Sequence, residues 1–324
     1  MACLPNLTTA EVLRIATFAA PLSRDGPGLL LSDIQKGEDQ QIVAIQAVIA
    51  HLRPDVLLLT DFDYDLDGIA LAAFATTFGD QYPHQFAARP NTGLATGLDM
   101  DQNGRRGEPR DAQGYGRFAG DGGMAILSRF PIGEVSDLSD ILWRDLPGAT
   151  LPDGFYPPEI LDVQRLSTSG HWIVPIIAPD GQLNLLSFAA TPPVFDGPED
   201  RNGLRNQDEL RMWEVVLDGG FGPVPHDFII AGNANLDPVD GDGLSGAMAA
   251  FLTDPRLQDP LPGLDTADWP EEGPGNLRVS YVLPSVTWTV RDAGVYWPTS
   301  DDSLLGDDGL AAGPHRLVWV DVSR

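Results

Sequence analysis

The chain has 324 residues, enough to bury a large core in one domain or two. Its 47 acidic and 20 basic residues leave a net charge of −27, a field that repels phosphate backbones and argues against a generic nucleic-acid partner. The single cysteine, Cys3, excludes an intrachain disulfide and a cysteine-based metal cluster, and no apolar run is long enough to span a bilayer. The first ten residues have neither a basic start nor an apolar h-region. No signal peptide is therefore legible in this chain, which leaves a cytoplasmic protein or a secreted one whose leader is absent.

After an N-terminal extension over residues 1–12, short apolar runs bounded by turn residues read as buried strands. They fall at 13–18, 56–60, 124–128, 172–177, 183–188, 228–232, 279–283 and 317–320. Two segments carry helical periodicity instead. In 39–52, Ile42, Ile45, Val48, Ile49 and Leu52 line one face, and Arg53-Pro54 ends the helix. In 204–217, Leu210, Trp213 and Leu217 do the same, with Gly219 as terminator. The Gly-, Pro- and Asp-rich stretches at 89–123, 147–158 and 255–276 read as ordered excursions from one scaffold.

Several segments carry a pattern beyond secondary structure. They are LRIATF (13–18), PDVLLL (54–59), GMAILSRFPI (123–132), TPPVFDG (191–197), Gly232-Asn233-Ala234-Asn235, RVSYVLP (278–284) and HRLVWVD (315–321). In this order, over nearly the whole chain, they resemble the endonuclease/exonuclease/phosphatase superfamily. The similarity is strongest to a bacterial subgroup with the TPPVFDG and HRLVWVD segments. The resemblance implies one DNase I-like α/β domain over residues 13–324, a four-layer α-β-β-α sandwich of two mixed sheets. It also implies where a metal-dependent phosphoesterase keeps its catalytic groups.

At those positions this chain departs from the pattern. The first strand should end in a metal-binding Asn and is followed by Ala19, while the metal-binding Glu is the shorter Asp61. A catalytic His is replaced by Ala189. The Asp that activates water is Asn233, although the phosphate-positioning Asn remains as Asn235. Ser280 stands for another Asp, and the final Asp-His pair is Pro314-His315. In the family, carboxylates hold a divalent ion that polarises the phosphoryl oxygen, an Asp acts on water as general base, and His residues stabilise charge. Asn233 cannot accept a proton at neutral pH, and Ala19 and Ala189 offer neither ligand nor donor. Loss of a single general acid or base costs ~10²–10⁴ in rate.

The substituted pattern implies a pseudoenzyme that keeps the sandwich and binds an unidentified protein partner or small ligand. Neither nucleic acid nor membrane insertion is expected. The alternative is a divalent-metal phosphoesterase with a rearranged site around Asp61 and nearby acids such as Asp63, Asp65, Asp237 and Asp240. Mg²⁺ or Mn²⁺ would enter only under that alternative.

Asp99-Met100-Asp101-Gln102-Asn103-Gly104 has the spacing of a calcium loop, in which alternate oxygens from Asp99, Asp101 and Asn103 converge and Gly makes the turn. The twelfth position is Arg110 where a bidentate Glu belongs, and Glu108 is out of register. The spacing recurs at Asp63, Asp65 and Asp67 with Gly68, and more loosely at 237–243. A bound Ca²⁺ would fix a long loop and do no chemistry; such runs also form plain Asp-Gly turns. His171-Trp172 resembles another subgroup segment that near a cleft could contact a ligand; it is read here as a partly buried Trp whose imidazole neighbour is satisfied by backbone.

Overall fold

The computed structural model describes residues 11–298 and 311–324, so Cys3 and most of the 1–12 extension lie outside the described residues. In chain order the first elements are β1 (Leu13–Phe18), α1 (Leu29–Lys36), α2 (Gln40–Leu52), β2 (Val56–Phe62), α3 (Ile69–Thr76), β3 (His84–Phe86) and β4 (Gly123–Ser128). They are followed by β5 (Ser136–Asp137), α4 (Pro158–Leu161), β6 (Gly170–Ala178), β7 (Gly181–Ala189) and α5 (Arg201–Leu217). The last are β8 (Phe228–Asn233), α6 (Ser245–Phe251), β9 (Ala267–Asp268), β10 (Asn276–Leu277), β11 (Ser280–Pro284), β12 (Thr289–Val295) and β13 (Val318–Ser323).

Strand pairing gives a six-stranded sheet, β12-β13-β1-β2-β4-β3, and a five-stranded sheet, β11-β8-β7-β6-β5. Both are mixed. The pair β1–β2 is parallel in the first and β7–β8 in the second, and the remaining neighbours are antiparallel. A small ribbon of β9 and β10 lies apart from both.

Period-2 alternation sorts the strand side chains into layers. Ile15, Val56, Leu58 and Ile126 face inward and meet Trp172, Val174, Leu185, Ile229 and Val282 of the second sheet. Their neighbours Ala16, Phe18, Leu57 and Leu59 face outward onto Leu30, Ile45, Ile49 and Phe74 of α1, α2 and α3. On the far side, Leu186, Phe188, Ile230 and Leu283 are covered by Leu210, Trp213 and Val216 of α5 and by Met248 and Phe251 of α6. The result is the expected α-β-β-α sandwich.

Both expected helices form. Asp39 caps α2 by accepting the Ile42 N–H at 2.9 Å, and Arg53 closes it in the left-handed region, φ 48°. Gly219 (φ 82°) follows the end of α5. The sequence reading missed α1, α3, α4 and α6. In α3, IALAAFAT, apolar residues occupy nearly every position, so no stripe marks the helix. The edge strand β12 was missed for the opposite reason: its residues are half-buried or exposed and carry no apolar run.

Candidate functional site

The parallel strands β1 and β2 end beside each other, and so do β7 and β8. Between these ends lies a cleft of about 770 Å³ whose lining includes Ala19, Asp61, Ala189, Asn233, Asn235, Pro314 and His315. The eighth mapped position, Ser280, starts β11 as the cross-strand partner of Asn233. Eight positions scattered over nearly 300 residues of sequence thus meet at one end of the sandwich.

Asp61 owes its placement to a bulge. The ladder between β2 and β4 shifts register between Thr60 and Phe62, leaving Asp61 as the extra residue at φ 143°. Its carboxylate is bonded by Ser23, and Gly122 is required opposite, since a Cβ there would sit 2.8 Å from Asp61 Oδ1. Burial, opposed by the Ser23 hydrogen bond and reinforced by Asp63 and Asp121, pushes the Asp61 carboxyl up to about 7. Asp63 rises to about 6, mainly by burial, although its oxygens accept the Gly122 and Arg24 N–H groups.

The remaining positions are locked or apolar. Asn233 and Asn235 bond each other: Asn233 Nδ2 donates to Asn235 Oδ1 at 3.2 Å, and the Asn235 N–H donates to Asn233 Oδ1 at 3.1 Å. Asn235 sits at φ 50° and donates its second amide hydrogen bond to the Ala190 carbonyl. His315 stands edge-on to Trp269, with ring centroids 5.1 Å apart, and its buried Nδ1 has no hydrogen-bond partner among the described residues. Burial and the neighbouring Arg316 hold its imidazole down to about 4, so it is neutral at physiological pH. Pro314, in place of an acid, leaves that ring without an orienting carboxylate.

A divalent metal of the kind the resemblance implies does not fit this donor set. Of the mapped positions only Asp61 supplies a carboxylate. Asp63 turns its oxygens onto backbone N–H groups, and Asp65 caps α3 by accepting from Ile69 and Ala70. The second loop expected to hold an ion, Asp63–Asp65–Asp67, is therefore not assembled, and Asp67 is exposed. Asp237 also serves the backbone, accepting from Val239, Asp240 and Arg278.

The first loop behaves differently. Carboxylate oxygens of Asp99, Asp101 and Asp111 lie within 4.8 Å of one another. Asp99 accepts from the Asn103 and Gly104 N–H groups, while Asn103 Oδ1 is taken by the Arg105 N–H. The third acid, Asp111, is buried and accepts from Met100 and Glu108. Sequence reasoning missed it because a search for a twelfth-position Glu stops at Arg110, one residue short.

A second tie supports the cleft floor. Glu209 of α5 is buried and accepts from the N–H groups of Thr168 and Thr191, joining the segments beside β6 and β7. His171, also buried, bonds Ser167 Oγ (2.7 Å) and the Glu209 carbonyl (2.9 Å), and burial lowers it to about 4. Its ring is satisfied in part by a backbone carbonyl, as the sequence suggested. Sequence reasoning found no basic cluster, yet four arginines line the cleft: Arg110, Arg117, Arg201 and Arg205.

A two-sheet sandwich with its cleft at the ends of β1, β2, β7 and β8 defines the architecture of a DNase I-like protein. Residues 34–312 match the model of the Endonuclease/Exonuclease/phosphatase family, and the chain belongs to that family. Among solved structures it is similar to an endonuclease/exonuclease/phosphatase from Beutenbergia cavernae, with 18% identity and a TM-score of 0.60 over 96% of this chain and 71% of that one. Sphingomyelinase C from Streptomyces griseocarneus aligns with 16% identity and a TM-score of 0.55, covering 96% and 99% of the two chains. A family protein from Leptotrichia buccalis gives 13% identity and a TM-score of 0.55 over 96% and 100%. No curated protein sequence matches the chain.

Proposed function

We propose that this chain is a non-hydrolytic member of its family whose cleft binds a small ligand. The observation that carries the reading is Asn233. Where the resemblance places a general base there is an amide, bonded into a turn with Asn235 and unable to take a proton from water. Around it Ala19 and Ala189 offer no ligand, and the neutral His315 has no carboxylate partner among the described residues. The acidic surface keeps nucleic acid out of the expected ligands.

The test is hydrolysis of p-nitrophenyl phosphate and bis(p-nitrophenyl) phosphate with Mg²⁺, Mn²⁺ or Ca²⁺. No rate above the metal-buffer background is expected. Turnover in the usual enzyme range of ~1–10³ s⁻¹, abolished by Asp61→Ala, would overturn the proposal in favour of a rearranged hydrolytic site.

A structural Ca²⁺ at Asp99, Asp101 and Asp111 is supported by the convergence of their oxygens. At ten times the dissociation constant, bound Ca²⁺ should add ~1.4 kcal/mol by mass action, seen as a higher melting temperature that EDTA reverses. Asp101→Ala should remove the increment and leave the fold intact. A melting curve indifferent to millimolar Ca²⁺ would retire the site.

A further inference from the structure

The cleft is a cationic island on an acidic protein. In a chain of net charge −27, its lining carries four arginines against two carboxylates, Asp61 and Asp121. Arg117 is tied to Asp25, Arg201 stands 3.9 Å from Glu199, and Arg205 feels the buried Glu209 without forming an ion pair with it among the described residues. Arg205 is buried and gives Nε and Nη2 to the carbonyls of Leu166, Gln113, Arg165 and Ser167, while Nη1 has no hydrogen-bond partner among the described residues. One helical turn earlier, Arg201 bonds the Tyr156 hydroxyl and stands 3.9 Å from a Glu199 oxygen, but its buried Nε has no hydrogen-bond acceptor among the described residues. Arg110 makes no ion pair with a described residue. A buried guanidinium lacking an acceptor is costly, and its planar fork matches the oxygens of a carboxylate or phosphate.

Beside these cations stands an exposed ring. Phe195 has φ 71°, a conformation rarely adopted by a bulky side chain, and 76% of its surface is open although it lines the cleft. Asn202, next to Arg201, fixes this geometry. Its Nδ2 donates to the Val194 carbonyl at 2.6 Å, and its N–H donates to Asp196 Oδ2 at 2.5 Å. The strained Phe195 backbone and the guanidinium of Arg201 are therefore held together through one residue. Tyr115, also largely exposed, lines the same cleft.

We infer that the cleft takes a small planar ring bearing an oxyanion, with the anion on Arg201 and Arg205 and the ring against Phe195. The inference rests on the cleft being a binding site and adds the chemical class of its ligand. Phenyl phosphate and benzoate are the probes, with phenol and inorganic phosphate as controls, and calorimetric titration is the measurement. At least one ring-borne anion should bind tenfold more tightly than either control. A preference for phenyl phosphate assigns a phosphate ligand, and a preference for benzoate a carboxylate.

Arg201→Gln should weaken that binding at least tenfold with an unchanged melting curve, and Phe195→Ser should weaken the ring-bearing probes and not inorganic phosphate. Arg201→Lys should recover only part of the affinity, because it restores the charge without the fork. Absence of binding by either probe at millimolar concentration, or full affinity in a folded Arg201→Gln variant, would overturn the inference. A protein that binds neither probe and cleaves nothing loses only this inference. One that binds phenyl phosphate and cleaves it loses only the non-hydrolytic reading.

Discussion

Asp61→Asn is expected to stabilise the protein by about 3 kcal/mol at pH 8 and to leave it nearly unchanged at pH 4. The sign follows from the carboxyl rising from 3.8 to about 7 on folding, first through burial and then through the like charges of Asp63 and Asp121. A group whose folded pKa lies above its unfolded value keeps its proton in the folded state while the unfolded chain releases it. Stability should therefore fall as pH rises from about 4 towards 7, and stay low above that. The full shift corresponds to ~4 kcal/mol at 1.36 kcal/mol per unit, and partial exposure to the cleft reduces it. The Asn variant keeps the oxygen that Ser23 bonds and loses the ionisation. Urea denaturation of both proteins at pH 4 and pH 8 measures the difference. Equal stabilities at pH 8 would mean that Asp61 is ionised and neutralised by a partner, as a metal-holding site requires.

The same comparison tests whether the cleft holds a divalent ion. A bound divalent ion would favour ionised Asp61, but the residues around it supply no positive charge at close range. Arg24 favours the ionised form only weakly and is also paired with Asp33 and Asp39. Repeating the comparison with Mn²⁺ separates the cases: an ion held at Asp61 should remove the advantage of the Asn variant.

The sandwich was legible because its strands are buried on both faces, so that runs such as VLLL in β2 stand out between turn residues. The eight mapped positions were legible because each follows or begins such a run. Strand ends are fixed by the same hydrophobic pattern that fixes the strands, and all eight meet at one end. What lay outside that pattern was lost. Arg110, Arg117, Arg201 and Arg205 come from separate stretches of chain, and no local cluster announces the cavity that gathers them. Asp63 and Asp65 share the calcium spacing of Asp99 and Asp101, but spacing does not report which backbone N–H groups will compete for the oxygens. In the first pair the N-terminus of α3 and the Gly122 turn took them.

Restoring the family's side chains should make stability depend on metal. The variant carries Ala19→Asn, Asp61→Glu, Ala189→His, Asn233→Asp, Ser280→Asp and Pro314→Asp around the retained Asn235 and His315. Seven of the eight positions line the cleft, and Asn233 and Ser280 are paired across β8 and β11, so two of the new carboxylates face each other. Three added carboxylates with no cation should cost at least ~3 kcal/mol in metal-free buffer, through like-charge repulsion and loss of hydration. Saturating Mn²⁺ at a hundred times its dissociation constant returns ~2.7 kcal/mol, while the parent's cleft should show no such response. Metal binding is expected to exceed any recovered phosphoesterase rate, because ligand sets tolerate displacements that catalysis does not. The buried Ser280 Oγ and His315 Nδ1, both without a hydrogen-bond partner among the described residues of the parent, lie at or beside positions where acids are restored. Thermal unfolding with and without Mn²⁺ decides the matter: a folded variant blind to the ion would show that the cleft no longer has the geometry its strand ends share with the family.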